Sequence, residues 1–137
     1  MGKRYFNFAI AYGVIALISG VFYREFTKIL GFTGKTNLST IHTHYFALGM
    51  IFFLILALLE MNLSFSTEKA AKNLVILYQV GLNITGLFML IRGLLQTWGT
   101  VLSKGMDAAL SGSAGIGHII LGVTMIFLLV VIKKKVR

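Results

Sequence analysis

Three histidines, His42, His44 and His118, are the side chains of this chain best suited to hold a transition metal, and no cysteine accompanies them. The missing thiols exclude disulfides, thiolate-bound zinc, iron–sulfur clusters and thiol catalysis. His42 and His44 stand at the start of one long apolar run and His118 lies inside another. Ionisable groups in such runs are expensive in lipid and usually face other helices. The four acids, Glu25, Glu60, Glu68 and Asp107, are scattered, so no carboxylate pair and no nucleophile–base set is in view.

The spacing around the histidines is informative. Gly115 and Gly122 lie three residues before and four after His118, on its own helical face. Gly49 follows His42 by seven residues and shares its face. Two imidazoles from different helices at one depth, with glycines leaving room for a flat macrocycle, are what a bis-histidine haem b requires. Arg92, Gln96 and Arg24 fall at the same end of their helices, where they would meet haem propionates; arginine takes a carboxylate in a bidentate fork. The second ligand stays open between His42, favoured by the face it shares with Gly49, and His44, favoured by depth. Residues two apart point to nearly opposite sides of a helix, so both cannot readily serve one iron.

The elements that must position these groups are membrane helices. Of the 137 residues 57% are hydrophobic and only 12% charged, about half the charged share of a soluble domain; the mean hydropathy is +0.86. Four apolar stretches, about 5–23, 40–59, 73–96 and 113–132, approach or exceed the about 20 residues that cross a bilayer. No proline interrupts them. The expected fold is a single all-α domain over residues 1–137, an integral membrane four-helix bundle. Asn37 or Ser39 is expected to cap the second helix and Ser111 or Ser113 the fourth, with a short interfacial helix over Val101 to Leu110. Spans two and four run in the same direction, so His42, His44 and His118 all fall within about 5–10 Å of one membrane boundary. In an up-down bundle they would face one another across a central slot.

The net charge of +9 does not indicate nucleic-acid binding, because the cations flank the spans rather than forming a basic face. Lys3, Arg4, Lys69, Lys72, Lys133, Lys134, Lys135 and Arg137 gather at one end, against Arg24, Lys28, Lys35, Arg92 and Lys104 at the other. This bias puts both termini on the cytoplasmic side of the cell membrane.

A shift of 73 residues lays Gly13-Val-Ile-Ala-Leu-Ile-Ser-Gly20 over Gly86-Leu-Phe-Met-Leu-Ile-Arg-Gly93, and Leu48-Gly49 over Leu121-Gly122. A duplicated hairpin accounts for this, as does the common use of glycine in membrane packing. Gly13/Gly20, Gly86/Gly93 and Gly115/Gly122 would then mark the inward stripes. Asn83 is expected to hydrogen-bond across the bundle, Glu60 to be solvated, and Met50, Met89 and Met125 to serve packing.

His42-Thr-His-Tyr-Phe-Ala-Leu-Gly49, of form H-x-H-x-x-x-L-G, resembles a motif of small four-helix membrane proteins related to haem–copper oxidase subunit I. The whole chain is similar to a domain-of-unknown-function family of such proteins from Gram-positive bacteria. In the nitric oxide reductase branch a His-Thr-Asn at the start of the second helix carries a ligand of the low-spin haem b. Laid over His42-Thr43-His44, that resemblance implies His42 as ligand, with His44 in place of the asparagine. The chain is far shorter than the oxidases and carries no sign of a copper site or second haem, so only haem ligation is implied.

The favoured reading is a haem b protein for electron transfer or for redox or gas sensing, with a redox partner and a homodimer as its expected associations. Against it stand a cofactor-free structural or accessory protein, a bare copper or zinc site built on the histidines, and a small metal transporter. No enzymatic activity is indicated.

Overall fold

The computed structural model describes residues 1–136; Arg137, counted above among the charges of the terminal end, lies outside them. Four helices are long and apolar enough to cross a membrane: α1 (Gly2–Ile29), α2 (Leu38–Leu63), α3 (Lys69–Thr97) and α4 (Lys104–Lys133). No strand occurs among the described residues, and the fold is an all-α four-helix bundle. Each expected span sits inside a longer helix. Without proline, nothing stops a helix where hydropathy falls, and it continues until a turn residue ends it. Gly31 at φ 60° and Gly99 at φ 66° take the left-handed conformation just beyond α1 and α3.

The two expectations for helix starts are corrected. Val101 to Leu110 forms no separate interfacial helix; α4 runs unbroken from Lys104, and the side chain of Ser103, not Ser111 or Ser113, accepts the Met106 N–H at 3.3 Å. At α2, Asn37 makes no capping bond, and the Thr36 hydroxyl accepts the Leu38 N–H at 3.3 Å instead.

Glu60 is also not solvated. It is 9% exposed, and its carboxylate accepts the Ser66 N–H at 2.9 Å. The tight 3₁₀ turn Phe65–Thr67 withdraws that N–H from water, so it needs a protein acceptor. The Ser66 hydroxyl in turn meets the Tyr5 hydroxyl at 2.5 Å, fastening the α2–α3 turn to the start of α1.

In lipid, helices gain little from hydrophobic burial and associate through close packing at small residues. A Cβ added at Gly13 would lie 3.0 Å from Met50 Sδ, and one at Gly20 would lie 3.7 Å from His42. A Cβ at Gly86 would overlap the Tyr45 hydroxyl, and one at Gly93 would lie 2.6 Å from the Leu38 nitrogen. The matched glycines of α1 and α3 therefore face the same partner, α2, which lies between them. Helix α4 packs on α3 through other glycines: a Cβ at Gly81 would come 2.7 Å from the Leu121 nitrogen, and one at Gly117 would come 2.7 Å from Thr85 Oγ1. At Gly115 and Gly122 it would meet nothing within 4 Å, so these two do not form the inward stripe of α4.

Backbones approach closely within the α1/α2 and α3/α4 hairpins and between α2 and α3. Side chains bridge two further seams. Across α1/α3, Asn83 Nδ2 donates to the Tyr12 hydroxyl at 3.0 Å, the cross-bundle bond expected of Asn83. Across α2/α4, His44 meets His118.

Helix α2 is irregular at one place. Directly after His44 the residues Tyr45–Ile51 form a π-helical segment before regular helix resumes at Phe52. Such segments recur at functional sites. The fully buried Tyr78 of α3 donates its hydroxyl hydrogen to the Leu48 carbonyl within this segment at 2.7 Å.

Candidate functional site

The rings of His44 and His118 stand with centroids 5.8 Å apart and planes at 90°. Each is held by its own helix: His44 Nδ1 bonds the Thr40 carbonyl at 3.0 Å, and His118 Nδ1 bonds the Ala114 carbonyl at 2.8 Å. A carbonyl only accepts, so in each neutral ring the proton sits on Nδ1 and Nε2 keeps its lone pair. Metal-binding imidazoles commonly carry this arrangement, because the Nδ1–H bond fixes tautomer and ring orientation.

His42 lies elsewhere. Its side chain packs beside Gly20 of α1, and its Nδ1 is buried without a hydrogen-bond partner. Gly49 faces α1 as well, since a Cβ there would come 2.6 Å from Tyr12 Cβ. The expected face-sharing of His42 and Gly49 thus holds, but the face is turned to α1 and away from His118. The structure brings together His44 and His118, with Gly115 and Gly122 leaving open space beside the latter.

The pair is not in a central slot. His118 is exposed and His44 half-buried, which puts the rings at the rim of the α2/α4 seam. Glycine packing draws α2 between α1 and α3, while α4 packs chiefly on α3.

Arg92 donates to Ser111 Oγ at 2.5 Å and to Asp107 Oδ1 at 2.6 Å. Ser111 precedes His118 by seven residues, so it occupies the same face of α4 about 10 Å closer to its start. Arg92 therefore stands over the stripe that ends in His118. Gln96 is otherwise engaged, accepting the Asn37 N–H at 2.8 Å and tying the α1–α2 loop to α3. Arg24 has a side chain 79% exposed and lies 3.7 Å from its neighbour Glu25; nothing links it to the histidine pair.

Among the described residues no group of three or more His, Cys, Asp or Glu gathers as metal ligands. A three-histidine copper or zinc site is therefore not assembled. Two features of the site escaped sequence reading. The π-helical segment leaves no pattern in hydropathy. The Asp107–Ser111–His118 stripe did leave one, a spacing of four and then seven residues along α4.

Neither a curated protein nor a solved structure matches this chain. The family described as protein of unknown function (DUF2871) covers residues 2–135, and the chain belongs to that family.

Proposed function

We propose that this chain is a haem b protein of the cytoplasmic membrane, both termini inside, with iron held between His44 and His118. The observation that carries the reading is the pair of rings 5.8 Å apart, each anchored through Nδ1 with Nε2 unengaged. His44 and His118 would hold the iron through their Nε2 atoms, each ring steadied by its Nδ1 bond to its own helix.

The residues nearby fit the group. Gly115 and Gly122 leave the flank of His118 clear, since a Cβ at either meets nothing. Arg92 of α3, bonded to Ser111 about two helical turns before His118 on α4, suits a propionate, in exchange for its bond to Asp107. His118 is exposed and His44 half-buried, so the pair is reached from outside the bundle.

Haem b supplies one-electron chemistry. Held by His44 and His118 together, it would serve electron transfer or redox sensing rather than oxygen reduction. The resemblance of His42–Gly49 to the haem–copper oxidase motif supports haem binding at this helix start, although its overlay names His42 whereas the ring facing α4 is that of His44.

The test is a visible spectrum of the full chain purified in detergent from haem-replete cells. A Soret band, with sharp α and β bands on reduction, is the expected result. A colourless preparation would overturn the reading and leave the two rings as an aromatic packing contact between helices.

A further inference from the structure

At the end of the bundle that carries both termini, a cavity of about 320 Å³ opens between α1 and α3, on the seam away from the histidines. The exposed Arg4, Lys69 and Lys72 rim it, and Phe8 and the buried Val75 form an apolar floor beside the exposed Ile76. The Arg4 guanidinium lies 5.5 Å above the centre of the Phe8 ring, holding its charge at the edge of the apolar floor. Among the described residues none of these three cations pairs with a carboxylate. The acids of this end are engaged elsewhere: Glu68 lies 2.7 Å from Lys135, and Glu60 accepts the Ser66 N–H. Three positive charges around one concavity repel each other and call for an anion.

The floor continues into the membrane. Ile76 and Gln79 also border a groove running over Val80, Asn83 and Ile84 on α3. From Lys72 to Asn83 is eleven residues, or about 16 Å of helix, half of a hydrocarbon core about 30 Å thick. A basic mouth at the boundary and an apolar track ending near the midplane match one leaflet's lipid.

We propose that this cavity binds the phosphate of an anionic phospholipid, with an acyl chain lying along the adjoining groove of α3. Arg4, Lys69 and Lys72 neutralise the headgroup, and the chain covers Phe8, Val75 and Ile76. The proposal stands whether or not the protein holds haem.

The test uses the full chain in nanodiscs of phosphatidylcholine with and without phosphatidylglycerol, read by native mass spectrometry for retained lipid and by thermal unfolding. The comparison is the triple variant Arg4→Gln/Lys69→Gln/Lys72→Gln against Lys133→Gln/Lys134→Gln, which removes charge from the same end outside the cavity. Wild type and the control pair are expected to retain phosphatidylglycerol and unfold at higher temperature with it, while the triple variant binds it on the order of a hundredfold more weakly. Equal retention by the triple variant and the control overturns the proposal. So does an equal stabilisation by inorganic phosphate in detergent, which would assign the site to a free anion. If the triple variant does not fold, Ile76→Trp, which blocks the track while keeping every charge, must lower retention; unchanged retention overturns the proposal equally.

Discussion

The hydroxyl of Tyr78 on α3 donates to the carbonyl of Leu48 on α2 at 2.7 Å, inside the π-helical segment that begins one residue after His44. In a π turn the backbone bonds shift from i→i+4 to i→i+5, and a side-chain donor from a neighbouring helix can hold the widened turn in place. Tyr78→Phe keeps the ring, which stacks on Phe52 at 4.4 Å, and removes only the donor. The expected loss is about 1–3 kcal/mol, the cost of a buried carbonyl left without its partner, read as the midpoint of unfolding in mixed micelles. An unchanged midpoint would show that the segment holds itself.

The histidines separate by variant. His44→Ala and His118→Ala are each expected to abolish the Soret band of the purified protein. His42→Ala is expected to keep it, because that ring packs beside Gly20 of α1. Stability should follow a different order: His42 fills space between two helices and its loss leaves a cavity, whereas the exposed His118 fills none. Loss of colour in His42→Ala alone would move the iron to the α1 side of α2.

Gly115 and Gly117, two residues apart on α4, are expected to behave oppositely. Gly117→Ala puts a methyl 2.7 Å from Thr85 Oγ1 and 2.9 Å from the Thr85 nitrogen, forcing α3 and α4 apart at a cost of about 1–3 kcal/mol. Gly115→Ala meets nothing and gains about 0.5–1 kcal/mol from reduced backbone entropy in the unfolded chain. Gly115→Leu should leave the bundle folded yet lower haem content, since its side chain enters the space beside His118. Wild-type haem content in folded Gly115→Leu would remove that glycine from the proposed site.

These contrasts mark what could be read from the residues alone. The four spans were legible because crossing a bilayer demands a length of apolar sequence that nothing else in a small chain produces. The depth of the histidines followed from the same count, and depth pointed to His44. Facing did not follow. Glycine spacing marks a close approach without naming the partner, so Gly13, Gly86 and Gly115 read alike, although the first two meet α2 and the third meets no helix. Gly81 and Gly117, which set the α3/α4 approach, belong to no long repeat and carry no such signal. Glu60 looked solvated because its partner, the Ser66 N–H, is a backbone group that becomes buried only once the turn has formed.

The ion pair of Glu68 and Lys135, at 2.7 Å, links the turn before α3 to the end of α4. The hydrogen bond and charge of Lys135, helped by Lys134, hold the Glu68 carboxyl below its ordinary value of 4.5. A carboxylate depressed in the folded state stabilises that state fully above the unfolded value, and the contribution disappears as pH falls through the folded value. Stability of the wild type should therefore decline from about pH 5 downward more steeply than that of Glu68→Gln, which cannot titrate there. Both partners are solvent-accessible, so molar salt should bring the two pH profiles together by screening. Parallel profiles at low salt would show that the pair contributes nothing to holding the helix ends, and that the α2–α3 turn depends on Glu60 and Tyr5 alone.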